Sequence, residues 1–149
     1  MMNEEFKRIS QIAIVVKDIE KARAAWAKIL GVKENPIIET EDWEKTKMMF
    51  RGKPSEARAK ITFFNFENIY IGAYWTYRKS KHMAKIRRWK GGDIYHIAFH
   101  VTDLDKALKR FEEAGINVEQ KGNYKGGCYI YMDSTAKLGG IIEILHNYK

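Results

Sequence analysis

Cysteine is all but missing from this chain. Cys128 stands alone, which excludes an internal disulfide and any cysteine-cluster zinc site. Within "GGCYIYMD" it reads as a buried strand residue. No apolar window approaches the ~20 residues needed to cross a bilayer. The opening "MMNEEFKRIS" is charged and has no apolar signal-peptide core. Both absences point to a cytoplasmic protein with no membrane role. Nucleic-acid motifs are missing too: there is no Cys/His finger and no RNA-binding strand signature. The net charge of +8 over 149 residues therefore reads as lysines spread over a soluble surface, and nucleic acid is not the expected partner. The densest basic stretch is "YRKSKHMAKIRRWKGG", Tyr77 to Gly92. It reads as a linker (77–93) holding a short helix, with Met83, Ile86 and Trp89 on one side. With 45% hydrophobic and 31% charged residues, the length suits one compact domain over 1–149.

What is present is a repeat. Moved back by 85 positions, "HIAFHVTDLDKALKRF" lies on "QIAIVVKDIEKARAAW" without a gap, and six of the sixteen positions are identical. Each copy opens with a short β-branched apolar run. An aspartate follows, Asp18 or Asp103, and suits a helix N-cap. Ile19, Ala22, Trp26 and Leu30 then recur at helical spacing, as do Leu104, Ala107, Leu108 and Phe111. Gly31 and Gly115 close the two helices. Three strand-like runs come next in each copy. In the first they are "KTKMMFRG", "AKITFFNF" and "NIYIGAYW"; in the second, "NVEQKG", "GCYIYMD" and "GIIEILH". The expected fold is α+β: two tandem βαβββ modules, 8–76 and 94–149.

Paired βαβββ modules, the opening "QIAIVVKDIEKA" and the close "GGIIEIL" resemble the vicinal oxygen chelate superfamily (glyoxalase, bleomycin resistance and dioxygenase proteins). The resemblance is nearest to its glyoxalase I and methylmalonyl-CoA epimerase-like branch. It implies a cupped, curved mixed β-sheet with helices outside. It implies a divalent metal in the cup (Mn, Co, Zn, Mg, Ni or Fe), no nucleotide cofactor, and a homodimer. The metal ligands of the family come from the first and last strands of each module. Carried over, these positions are Gln11, His96 and Glu143, with Gly72 at the fourth place, where relatives usually carry Glu or Gln. Glu143, the one acid of the set, would also be the catalytic proton carrier.

Strand alternation puts His96, Ala98 and His100 on the cup side, with Ile97, Phe99 and Val101 beneath the helix. His96 is then a site residue; its other reading is a core histidine with a satisfied hydrogen bond. His100 reads as pocket lining, His82 and His146 as surface residues. Tyr70, Tyr74, Tyr129 and Tyr131 are either pocket walls or plain strand residues. Gly72, between Tyr70 and Tyr74, would admit a bulkier substrate group. Gln11 to Gly72 spans 61 positions (72 − 11) against 47 for His96 to Glu143 (143 − 96). The extra length carries Arg51 and Arg58, which either fork to an anionic group or sit exposed on a hairpin. It also carries Glu39, Glu41 and Glu44, any of which could serve as a second base.

Two functions follow from the resemblance. One is a metal-assisted isomerase, epimerase or lyase acting beside the carbonyl of a small acid or thioester. The other is a sequestering protein that holds a small molecule in a degenerate metal site.

Overall fold

The computed structural model describes residues 4–77 and 94–149. The expected linker helix and His82 lie outside the described residues. A 3-10 turn, Glu4–Phe6, leads into strand β1 (Ile9–Val15), helix α1 (Ile19–Leu30), strand β2 (Ile38–Glu39) and the one-turn helix α2 (Trp43–Thr46). Strands β3 (Met49–Phe50), β4 (Lys53–Pro54), β5 (Ala59–Asn65) and β6 (Tyr70–Thr76) complete the first half. The second half runs β7 (Ile94–His100), α3 (Leu104–Glu113), β8 (Val118–Tyr124), β9 (Gly127–Met132), α4 (Thr135–Leu138) and β10 (Ile141–Asn147).

The two long helices, α1 and α3, start identically. Asp18 accepts from the Lys21 backbone N–H and Asp103 from that of Lys106, each at 3.0 Å. Gly31 ends α1 in the left-handed region, φ 69°, where a side chain would be strained. Gly115 does the same just after α3, φ 74°.

All ten strands form one mixed sheet in the order β2-β5-β6-β1-β7-β10-β9-β8-β3-β4. Strands β1 and β7 meet antiparallel at its centre, and each has its module's last strand parallel on its other side. The outer face packs on the helices in two separate clusters. Ile19, Phe64 and Ala73 anchor one, with the Trp26 ring stacked on Phe64 at 4.9 Å. Val101, Phe111 and Ile144 anchor the other. The inner face carries Ala13, Val15, Ile61, Tyr74, Tyr95 and Tyr131. Period-two alternation thus divides apolar side chains between the helices and the cup.

The first module departs from the expected pattern. "KTKMMFRG" does not lie beside β5. Its strand, β3, pairs with β8 of the second module, and the Arg51 N–H donates to the Glu119 carbonyl there. The place beside β5 belongs to β2. The cause is the added length of this module. The chain between β2 and β3 is short, yet it joins one flank of the sheet to the other. The nine residues 40–48 span at most ~35 Å from strand end to strand end, and less with a helical turn among them. The sheet must therefore be strongly curled, and this segment straps the cup.

Glu5 ties the N-terminal turn to the start of α3. Its carboxylate accepts from the Thr102 backbone N–H at 2.6 Å and from the Thr102 hydroxyl at 2.8 Å. Burial pushes its pKa up, but the bonds from Thr102 and the Asp103 N–H, with the Lys106 charge, outweigh that and lower it. A lowered carboxylate pKa adds stability above the unfolded value, and that stability disappears as pH falls through the folded value. Below pH 4.5 the wild type should lose melting temperature more steeply than Glu5→Gln. Parallel melting curves against pH for the two proteins would rule this out. Among the described residues no helix is long and apolar enough to cross a membrane.

Candidate active site

Three polar side chains converge on the inner face from adjacent strands. Gln11 comes from β1, His96 from β7 and Glu143 from β10; all three are at most 3% exposed. Gln11 Oε1 lies 3.2 Å from His96 Nε2, and Glu143 Oε2 contacts the same nitrogen. The other end of the Gln11 amide, Nε2, donates to the Tyr74 hydroxyl at 3.1 Å. His96 Nδ1 is buried without a hydrogen-bond partner, and Glu143 Oε2 has only its contact with His96 Nε2.

The sheet register places the fourth position. Glu143 lies beside Ala98, and Gly72 lies beside Ala13. Ala13 and Ala98 are equivalent under the repeat, so Gly72 is the counterpart of Glu143. Gly72 does not open the cup, contrary to the expectation of extra room. A Cβ built on it would meet Gln11 Nε2 at 2.3 Å and Tyr74 Cε1 at 2.7 Å. The amide and the phenol ring already fill that space.

Gln11 and Glu143 line a cavity of about 640 Å³. Its walls are tyrosines: Tyr70, Tyr74, Tyr95, Tyr124, Tyr129 and Tyr131. His96 does not reach this surface. The rings of Tyr74, Tyr95 and Tyr131 pack around it with centroids 4.8–5.3 Å away. His100 lines the cavity at its rim, and burial pushes its pKa down while the Glu143 charge opposes this. Arg58 lines it as well, with its Nε donating to the Thr40 carbonyl at 2.9 Å. Arg51 does not. It pairs with Glu119 at 3.0 Å on the outer flank of the sheet. Glu39 and Glu41 line the cavity, whereas Glu44 turns to Lys47 at 3.5 Å. His146, expected on the surface, is half-buried, with Nδ1 3.1 Å from the Val101 carbonyl.

Tyr95 is the wall residue that strand alternation misses. His96 should face the cup and Tyr95 the helices. Ala13 pairs with His96, but Ile14 pairs with Ile94, which leaves Tyr95 as the extra residue of a bulge. A bulge turns two successive side chains to one face. Ser10, the counterpart of Tyr95 under the repeat, is the extra residue of a second bulge, between Ile9 and Gln11. Each bulge immediately precedes the first-strand site residue, and strand alternation alone gives no sign of it.

The family model described as Glyoxalase/Bleomycin resistance protein/Dioxygenase superfamily matches residues 10–132. The chain belongs to this superfamily. Comparison with curated proteins finds no match. Among solved structures, methylmalonyl-CoA epimerase from Mycobacterium tuberculosis aligns over 100% of this chain and 94% of its own, with 16% identity and a TM-score of 0.68. A Streptomyces coelicolor methylmalonyl-CoA epimerase variant in complex with 2-nitronate-propionyl-CoA aligns over 95% and 98%, with 16% identity and a TM-score of 0.66. At that identity the likeness establishes the glyoxalase-like fold.

The superfamily's divalent cation can be tested against the donors present. One imidazole nitrogen, one carboxylate oxygen and one amide oxygen suit a borderline or hard divalent cation. Glu143 Oε2, buried with only the His96 nitrogen against it, is the kind of acceptor a cation satisfies. The set therefore fits, as three ligands with the rest left to water or substrate. It holds only two His, Cys, Asp or Glu side chains; among the described residues no cluster of three such groups forms. Burial raises the pKa of every wall tyrosine, and the Glu143 charge raises each further; Tyr124 is pushed up to about 12. The phenols are neutral hydrogen-bond donors at physiological pH.

Proposed function

We propose that this chain is a cation-assisted isomerase of the superfamily, of the epimerase type, that moves a proton beside the carbonyl of a small acid or thioester. The observation that carries this reading is the meeting of Gln11 and Glu143, which line the tyrosine-walled cavity, with His96 buried directly behind them. A divalent cation held by those three residues would polarise the carbonyl oxygen of the substrate as a Lewis acid. Glu143 lines the cavity and is the acid of the convergent set, so on this reading it takes the proton, and inversion requires a proton returned on the opposite face. Glu39 and Glu41 share the cavity and could serve a second face of the substrate. Arg58 and Lys125 on its lining suit an anionic tail. The naming of the structural neighbours as methylmalonyl-CoA epimerases supports the same class of reaction.

A second reading rests on a specific observation. Gly72 brings no ligand, and the tyrosine rings shut His96 away from the cavity. A protein that only holds a small molecule in the cup would look the same.

The deciding experiment is metal content with a His96→Ala control, followed by solvent deuterium wash-in on CoA thioesters and 2-oxo acids. The expected result is one cation per chain in the wild type, none in His96→Ala, and deuterium at the carbon beside the carbonyl. No metal after loading with Mn²⁺, Co²⁺ or Zn²⁺, together with no wash-in, would put the sequestering reading in its place.

A further inference from the structure

We propose that the acid or thioester handled in this cup carries a planar aromatic group of two rings or more, laid against the tyrosine wall. This rests on the isomerase reading for the carbonyl and adds what is attached to it.

Size is the first argument. The cavity holds about 640 Å³. A propionyl-sized group takes the space of about four waters, ~120 Å³ at ~30 Å³ each, and would leave about four-fifths of that volume to water. That water would lie against tyrosine rings and against Met48, Ile61, Phe63 and Leu145. Wet apolar walls forgo the free energy that burial provides. A cavity of this volume suits a drug-sized ligand.

The walls select its shape. Tyr74 of β6, Tyr95 of β7, and Tyr131 and Tyr129 of β9 form an unbroken run of rings, with successive centroids 5.8, 5.3 and 5.2 Å apart. Phe63 and Tyr70 form a further pair at 5.5 Å. Such rings gain specific stacked and edge-to-face contacts from another ring, beyond the area it buries. A rigid ring system also loses less freedom on binding than a flexible chain.

The wall hydroxyls tolerate an apolar occupant. Tyr74 bonds the Gln11 amide, Tyr129 the Gln120 amide, Tyr124 the Asn147 side chain and Tyr70 the Ser10 side chain, while Tyr95 and Tyr131 bond each other. All six phenols thus have protein partners, and an aromatic group strands none of them. Charge is kept to the mouth. Glu39, Glu41, His100 and Lys125 line the cavity but are exposed, and Arg58 is half-buried. Among the charged lining residues Glu143 alone is buried. The carbonyl of the ligand therefore belongs beside Glu143, and its remaining bulk among the rings.

The test is calorimetric titration of the wild type, as purified and after chelator treatment, with propionate, dodecanoate and 2-naphthylacetate. The last two have the same number of heavy atoms. 2-Naphthylacetate should bind at least about 100-fold more tightly than propionate, from its added apolar area, and about tenfold more tightly than dodecanoate. Tyr129→Leu keeps the wall apolar but removes a ring. It should weaken 2-naphthylacetate about two- to tenfold and leave dodecanoate within about twofold. If that variant does not fold, the order of the three acids in the wild type decides alone. Dodecanoate binding as tightly as 2-naphthylacetate, or propionate as tightly as either, would overturn the proposal. Deuterium wash-in on the CoA thioesters of the same acids keeps the two readings apart. Tight binding of 2-naphthylacetate without wash-in ends the isomerase reading and leaves this ligand class to a sequestering protein. Wash-in on the propionyl thioester with no preference among the acids leaves the isomerase and ends this proposal.

Discussion

Replacing Glu143 with glutamine is expected to cut deuterium wash-in at the carbon beside the carbonyl by about 10²–10⁴-fold, the range set by loss of a general base. The residue is 3% exposed, and its carboxylate is the one acid among the three convergent donors. Glutamine matches it in volume, so no cavity opens and Ala98, its partner on β7, keeps its packing. The variant should stay folded, with β10 still paired to β7 and β9. It should also bind cation more weakly, because a neutral amide replaces a charged ligand. Wash-in within a few-fold of the wild type would remove Glu143 from the proton path and leave Glu39 and Glu41 as the acids to examine.

The second large effect is expected at position 72. Gly72→Glu on its own should destabilise the fold by about 1–3 kcal/mol, the usual cost of overpacking. The new Cβ meets the Gln11 amide and the Tyr74 ring well inside contact distance. Both are ends of side chains and can move, but both are buried, so moving them disturbs the floor of the cavity. The variant loses the Gln11 oxygen from the site as it gains a carboxylate. Combining it with Tyr74→Ala makes room. In that background the Gln11 amide can move into the space left by the ring, and Gly72→Glu should tighten Mn²⁺ binding at least tenfold relative to Tyr74→Ala alone, since a charged carboxylate joins the set. Thermal melts and Mn²⁺ titrations of the four proteins check both halves. A Gly72→Glu single variant that melts with the wild type would mean that the space at position 72 is open after all.

The predicted repeat supplied much of the architecture. Asp18 and Asp103 cap their helices through the same bond, and Ala13 and Ala98 occupy matching places beside Gly72 and Glu143. These features are local, or follow from one copy's likeness to the other, so they can be read along the chain. The course of residues 38–58 could not be read that way. Short strands such as Met49–Phe50 and Lys53–Pro54 carry little pattern, and only long-range pairing with β8 decided where they lie. Arg51 and Arg58 sit in that same segment. One turned out to serve the sheet flank and the other to line the cavity, for the same reason.

The repeat and strand periodicity, properties of order along the chain, set Gln11 opposite His96 and Gly72 opposite Glu143; that these four form a ligand set with one member missing is what the resemblance to the superfamily implied. Only the tertiary structure decided what stands in for that member. The register shift that turns Tyr95 inward and the close approach of Tyr74 to Gln11 depend on how neighbouring strands meet. So does the ring layer that hides His96 from the cavity. No spacing within a single strand encodes a contact between two of them.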